Sequence, residues 1–106
     1  MSGLDNTSFT VRTTAATTDT ITNNDSVVIY TATTAKTVTL PDPATQGLPG
    51  RRYALINAAA GAITITPVSP DTLDGSATKT LAATTGRCEL ITDGTNWFTI
   101  SSVGLT

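Results

Sequence analysis

Four carboxylates and one thiol are the residues of this chain most able to do chemistry: Asp71, Asp74, Asp93, Glu89 and Cys88. A pair of carboxylates can act as acid and base, or hydrolyse a glycoside. Three of the four stand in turn-forming sequence, however: Pro70-Asp71, Asp74-Gly75 and Asp93-Gly94. Aspartate favours such places because its side chain bonds the local backbone. The chain of 106 residues has no histidine. The commonest general base is therefore missing, and no imidazole can activate Cys88. Cys88 alternates with Glu89 beside Leu90, which reads as a buried structural thiol. Asp71-Thr72-Leu73-Asp74-Gly75 places two carboxylates near each other but lacks the dense oxygen ligands that calcium takes. Zinc has no ligand set, and no glycine-rich phosphate loop precedes a helix. The expectation is a chain that is not an enzyme, with no catalytic, metal-binding or cofactor-binding residue.

Recognition chemistry is the other route to function. Arg51-Arg52 is the one paired positive charge, suited to a partner's carboxylates or to a solvated strand start. Tyr53, Asn96 and Trp97 combine aromatic faces with an amide, the chemistry that stacks on and hydrogen-bonds a sugar. Trp97 follows a hairpin turn, where it also suits packing across a sheet or between subunits. Near the start, Phe9 and Val11 alternate with Thr10 and Arg12, as in one short strand of a docking arm.

Composition narrows the partners. Charged residues make up 13% of the chain and the net charge is -2. No basic field exists to attract phosphates, so neither nucleic acid nor an anionic membrane surface is expected as a partner. About a quarter of the chain is threonine, a β-branched residue that suits strands and keeps a surface wet without charge. A single cysteine excludes an intrachain disulfide. Residues 1–10 carry neither a basic region nor an apolar run of the secretory kind, which leads to the expectation of a soluble protein made in the cytoplasm and not exported through a signal peptide. No stretch approaches the roughly 20 apolar residues of a membrane-spanning helix.

The elements that would position these residues are strands. Residues 1–24 are polar and read as an N-terminal arm, docking or exchanging between subunits. From residue 25 onward the signals become dense. Residues 26–31 carry an apolar run. Residues 37–40 alternate and stop at Pro41, and residues 41–50, with three prolines and two glycines, read as a loop. In residues 51–57, Tyr53 and Leu55 share one face and Ala54 and Ile56 the other. Residues 62–66 point Ile63 and Ile65 one way. Residues 78–81, 87–92 and 97–101 complete the set, with turns at Asp74-Gly75 and Asp93–Asn96. About eight short strands without a helix give an all-β fold: a compact antiparallel β-sandwich or jelly-roll-like barrel over residues 25–106. No strict internal repeat is evident.

From Thr37 onward the sequence resembles a module of phage virion proteins, found in tail fibres, head fibres and capsid decoration proteins. The matching pieces are Thr37-Val38-Thr39-Leu40-Pro41, Gly50 before Tyr53-Ala54-Leu55-Ile56-Asn57, Ala59-Ala60-Gly61-Ala62-Ile63-Thr64-Ile65-Thr66-Pro67, Thr72-Leu73-Asp74-Gly75, and Leu90-Ile91-Thr92-Asp93-Gly94-Thr95-Asn96-Trp97-Phe98-Thr99-Ile100-Ser101. They cover about two-thirds of the chain. The resemblance implies a compact, usually trimeric β-sandwich on a virion surface, without enzyme activity or cofactor. Read as complete from Met1, without a shaft or heptads, the chain suits a free-standing capsid decoration or head-spike protein. The expected partners are further copies of itself in a homotrimer and the major capsid protein. Phe9, Val11, Arg12, Arg51 and Arg52 are the expected partner contacts. The alternative is a receptor-binding knob or tail-fibre accessory protein that binds host surface glycans through Tyr53, Asn96 and Trp97.

Overall fold

The computed structural model describes residues 10–46 and 49–106. Alternation of apolar and polar residues gives nine strands among the described residues, in two sheets packed as a sandwich. The five-stranded sheet has the order β1 (Val11–Thr14), β3 (Val27–Tyr30), β5 (Arg52–Asn57), β8 (Arg87–Thr92), β9 (Trp97–Val103). The four-stranded sheet has the order β2 (Thr18–Thr20), β4 (Lys36–Thr39), β6 (Ile63–Thr66), β7 (Lys79–Leu81).

The expected all-β sandwich is found, but the antiparallel arrangement needs correction. β1 with β3, β3 with β5, β2 with β4 and β4 with β6 all pair in parallel. Only β5–β8, β8–β9 and β6–β7 are antiparallel. The reason lies in the path. The chain lays one strand in the first sheet, crosses to the second, and returns beside its starting strand, so three successive coils stack in register. Val27 sits beside Ala54 and Lys36 beside Ile63; both strands of the second coil thus step 27 residues to the third. That step reveals a degenerate repeat, in which Ile29, Ala32, Ala35, Thr37, Thr39 and Pro43 recur as Ile56, Ala59, Ala62, Thr64, Thr66 and Pro70.

Nor is the sandwich a closed barrel. One side is drawn together where residues 104–106 leave β9 and bond to β7, with Ala82 N donating to Gly104 O at 2.8 Å and Thr80 N to Thr106 O at 3.0 Å. On the opposite side β1 and β2 are the edge strands of their sheets. A further difference is helical. Within the expected loop, Pro43–Gln46 forms a single turn, α1, started by Asp42, whose Oδ1 accepts from Ala44 N at 3.1 Å.

Residues 11–20 of the expected arm are strands of both sheets, and Ile21 is buried in the core. The composition break at residue 24 therefore does not separate them from the sandwich. Phe9 and the rest of residues 1–9 lie outside the described residues.

Inward positions of the two sheets meet in one core. Val28, Tyr30, Tyr53, Leu55, Cys88, Leu90 and Trp97 come from the larger sheet. Val38, Ile63, Ile65 and Leu81 come from the smaller one, with Leu40 and Leu73 from the connections. Burial of this apolar surface is the main favourable contribution to the fold.

Candidate functional site

The two outer faces of the sandwich differ sharply. On the four-stranded sheet the outward residues are all threonine. Thr18, Thr37, Thr64 and Thr80 form one cross-strand row, and Thr20, Thr39 and Thr66 the next. This face carries no charge and no large apolar group.

The five-stranded sheet is the reverse. Its outward rows read Val11, Val27, Ala54, Glu89, Ser101 and then Thr13, Ile29, Ile56, Arg87, Val103. A third, shorter row holds Arg52, Ile91 and Phe98. Phe98 is 42% exposed, Val103 55% and Val11 61%. Small residues in this face leave a shallow depression of about 420 Å³ lined by Ala54, Ile56, Arg87, Glu89, Ser101 and Val103. A second depression of about 320 Å³ adjoins it and shares Ala54 and Glu89. Exposed apolar residues grouped on one face are the usual mark of an interaction surface, and here three charged residues, Arg52, Arg87 and Glu89 on the interior strands β5 and β8, stand among them. Arg52 Nη1 lies 4.0 Å from Glu89 Oε2, with both side chains well exposed, a geometry that contributes little. The Arg87 side chain has no hydrogen-bond or ion-pair partner among the described residues.

Of the expected partner contacts, this face gathers Val11 and Arg52 only. Arg12 points the other way, into the end of the sandwich. Its Nη1 and Nη2 donate to Asp19 at 3.0 and 2.9 Å, and its Nε and Nη2 donate to Asp25, both at 3.0 Å. Tyr30 Oη adds a bond to Asp19 at 2.7 Å, and Thr22 N one to Asp25 at 3.0 Å. Burial opposes the charge on Asp25, but the Arg12 and Thr22 hydrogen bonds outweigh it and hold the carboxyl below its ordinary value. Burial, followed by the bond to Asp19, pushes the Tyr30 hydroxyl upward. Arg51 is likewise engaged within the chain, donating to the Asp25 carbonyl and stacking on the Tyr53 ring at 4.9 Å.

The residues expected for glycan binding in the alternative reading are not assembled on a surface. Trp97 and Tyr53 are core residues, ring centroids 5.5 Å apart, and Trp97 Nε1 donates to Pro41 O at 3.3 Å. Neither offers a free face to a sugar. Asn96 Oδ1 accepts from Thr72 N at 2.9 Å and fastens two loops.

The remaining chemistry-bearing residues are also tied into the fold. Asp93 Oδ1 accepts from Thr95 N and Asn96 N, both at 2.9 Å, in the β8–β9 turn. Asp74, at φ 52°, accepts from Thr99 N and Thr99 Oγ1 and pairs with Lys79 at 3.2 Å. Asp71 adjoins Asp42; burial, and then that neighbouring carboxylate, raise its pKa. Cys88 is buried, which pushes its thiol up to about 12. No group of three or more metal-ligating side chains occurs among the described residues. No described helix is long and apolar enough to cross a membrane.

Ile29, Ile56, Arg87, Ile91, Phe98 and Val103 were not singled out as contacts from the sequence. Their signal was present in the alternation, since strands with apolar residues on both faces have two faces to cover. No family model matches this chain, and no curated protein matches it either.

Proposed function

We propose that this chain is a non-enzymatic structural protein of a bacteriophage virion. It acts as a capsid decoration protein that binds the assembled shell as a homotrimer and stabilises it. The observation that carries the reading is the contrast between the outer faces: one apolar and suited to permanent contact, the other an uncharged threonine surface suited to solvent. The resemblance to phage virion modules adds to it, because the matching pieces fall on β4, β5, β6, β8 and β9 and the turns between them. The mechanism is mass action: a protein that binds only the assembled shell shifts the equilibrium toward it. Of the residues proposed for host glycan recognition, Tyr53 and Trp97 are buried, so the receptor-binding alternative is not favoured.

Immunogold labelling of intact virions with an antibody to this protein tests the proposal. Label spread over the head is expected. Label confined to the tail tip would replace decoration with receptor binding, and absence of label would remove the virion reading altogether.

A further inference from the structure

We infer that the outer face of the five-stranded sheet is the surface by which copies of this chain pack on one another. This deepens the proposed function by assigning the contact between subunits. Three observations point to a second copy as occupant.

First, apolar residues form two blocks on the face. Val11, Val27, Ile29, Ala54 and Ile56 make one over β1, β3 and β5, and Ile91 with Phe98 makes another on β8 and β9, with Glu89 and Arg87 of β8 between them. Apolar surface with few charges is the composition found at contacts between permanent partners. The opposite face, all threonine, offers no comparable apolar surface.

Second, the charges on the face complement one another across a contact between like chains. Arg87 and Glu89 project from the same side of β8, two residues and about 7 Å apart. Arg87 is unpaired among the described residues, and Glu89 has only the long contact to Arg52. In a closed symmetric assembly each copy gives its Arg87 to a neighbour and receives a neighbour's Arg87 at its Glu89. Every copy then both donates and accepts, and the contact closes into a ring where the rotation between neighbours does. Excluding water from the face strengthens such a pair.

Third, the shape allows approach. The face is hollowed at Ala54 and Ser101, which leaves room for the exposed Phe98 or Val103 side chains of an adjoining copy.

The experiment is a mass measurement by sedimentation or light scattering on the full chain, with circular dichroism to show that each variant folds. The wild type is expected to sediment at three times the 10.9 kDa chain mass. Ile56→Lys places a charge in the apolar rows and should give monomer. Arg87→Glu and Glu89→Arg should each weaken association at least tenfold, while the double variant with both changes recovers it. Recovery by the swap distinguishes a charge pair between copies from a general loss of folding. Wild type that stays monomeric at every concentration overturns the inference, as does an Arg87→Glu variant with unchanged association. A monomer that still labels phage heads overturns only the self-association. A self-associating protein absent from virions overturns only the virion reading.

Discussion

Lys36 and Asn57 converge on a single carbonyl: Lys36 Nζ at 3.0 Å and Asn57 Nδ2 at 2.9 Å both donate to the Gly61 oxygen. Lys36 also donates to the carbonyls of Ala32, Thr34 and Ala60 at 2.6, 3.3 and 3.0 Å. A buried ammonium thus joins the corner of the second coil to the corner of the third. It stands where Ile63 stands one coil later. Lys36→Met keeps the stem but removes the donors, leaving buried carbonyls unpaired, at a cost of about 1–3 kcal/mol. Urea denaturation should show the loss. Gly61→Ala should be worse. Gly61 has φ +88°, and a Cβ there would lie 2.3 Å from the Thr34 carbonyl carbon, so the two corners would have to separate.

Arg12→Met should destabilise the protein by about 2 kcal/mol at neutral pH. Hydrogen bonds to charged groups contribute roughly 1.5–3 kcal/mol, and the side chain is about one-third exposed. The pH dependence follows from Asp25. Its folded pKa lies below the ordinary value of 3.8, so its contribution is complete above that value and is lost as pH falls through the folded pKa. Thermal melts of wild type and variant should therefore differ by a constant amount above about pH 5 and converge as the pH falls below the ordinary value of 3.8.

Asp71 should behave in the opposite sense. Its folded pKa is raised above 3.8, by burial and by the Asp42 carboxylate. The charged form opposes folding, so stability falls as pH rises from the ordinary value through the folded one. Asp71→Asn should raise the melting temperature at pH 7, and the gain should disappear where Asp71 is protonated in both states. A melt series from pH 3 to pH 8 would reveal it.

Trp97 is the only tryptophan and is fully buried against Tyr53. Its emission should be blue-shifted and protected from iodide, and should move red in one step on unfolding. Trp97→Ala should cost about 3–5 kcal/mol, measured by chemical denaturation.

Deleting residues 1–24 should lower stability steeply and promote aggregation, since it removes β1, β2 and Ile21 and bares the edges of β3 and β4. Deleting residues 1–9 alone keeps every described strand, and capsid occupancy of that shorter deletion tests the first nine residues, Phe9 included, in docking.

Much of the fold is legible in short windows. The alternation in Tyr53–Ile56, Ile63–Thr66 and Cys88–Leu90 identifies both strand and inward face, and Asp93-Gly94 announces its hairpin. Pairing direction is not legible in this way, because alternation has the same period in parallel and antiparallel strands. It was available only from recurrence: Thr18-Asp19-Thr20, Thr37-Val38-Thr39 and Thr64-Ile65-Thr66 lie side by side in the sheet. β2 escaped notice because its inward residue is Asp19, a charge made tolerable by Arg12 and Tyr30. Trp97 and Tyr53 were ambiguous between ligand and core for a similar reason, as an aromatic in a strand carries the same local pattern in either role. The apolar outer face emerged only once register placed Ile29, Ile56, Arg87 and Val103 in one row.

The threonine face has a consequence for any particle that displays it. Seven threonines in two ranks offer hydroxyls that can donate to and accept from water yet carry no charge. Surfaces of this kind hold one another apart through their hydration layers rather than by Coulomb repulsion, and added electrolyte does not screen that force. A shell coated in this way would stay dispersed from dilute medium to brine, and would offer passing polyelectrolytes nothing to grip.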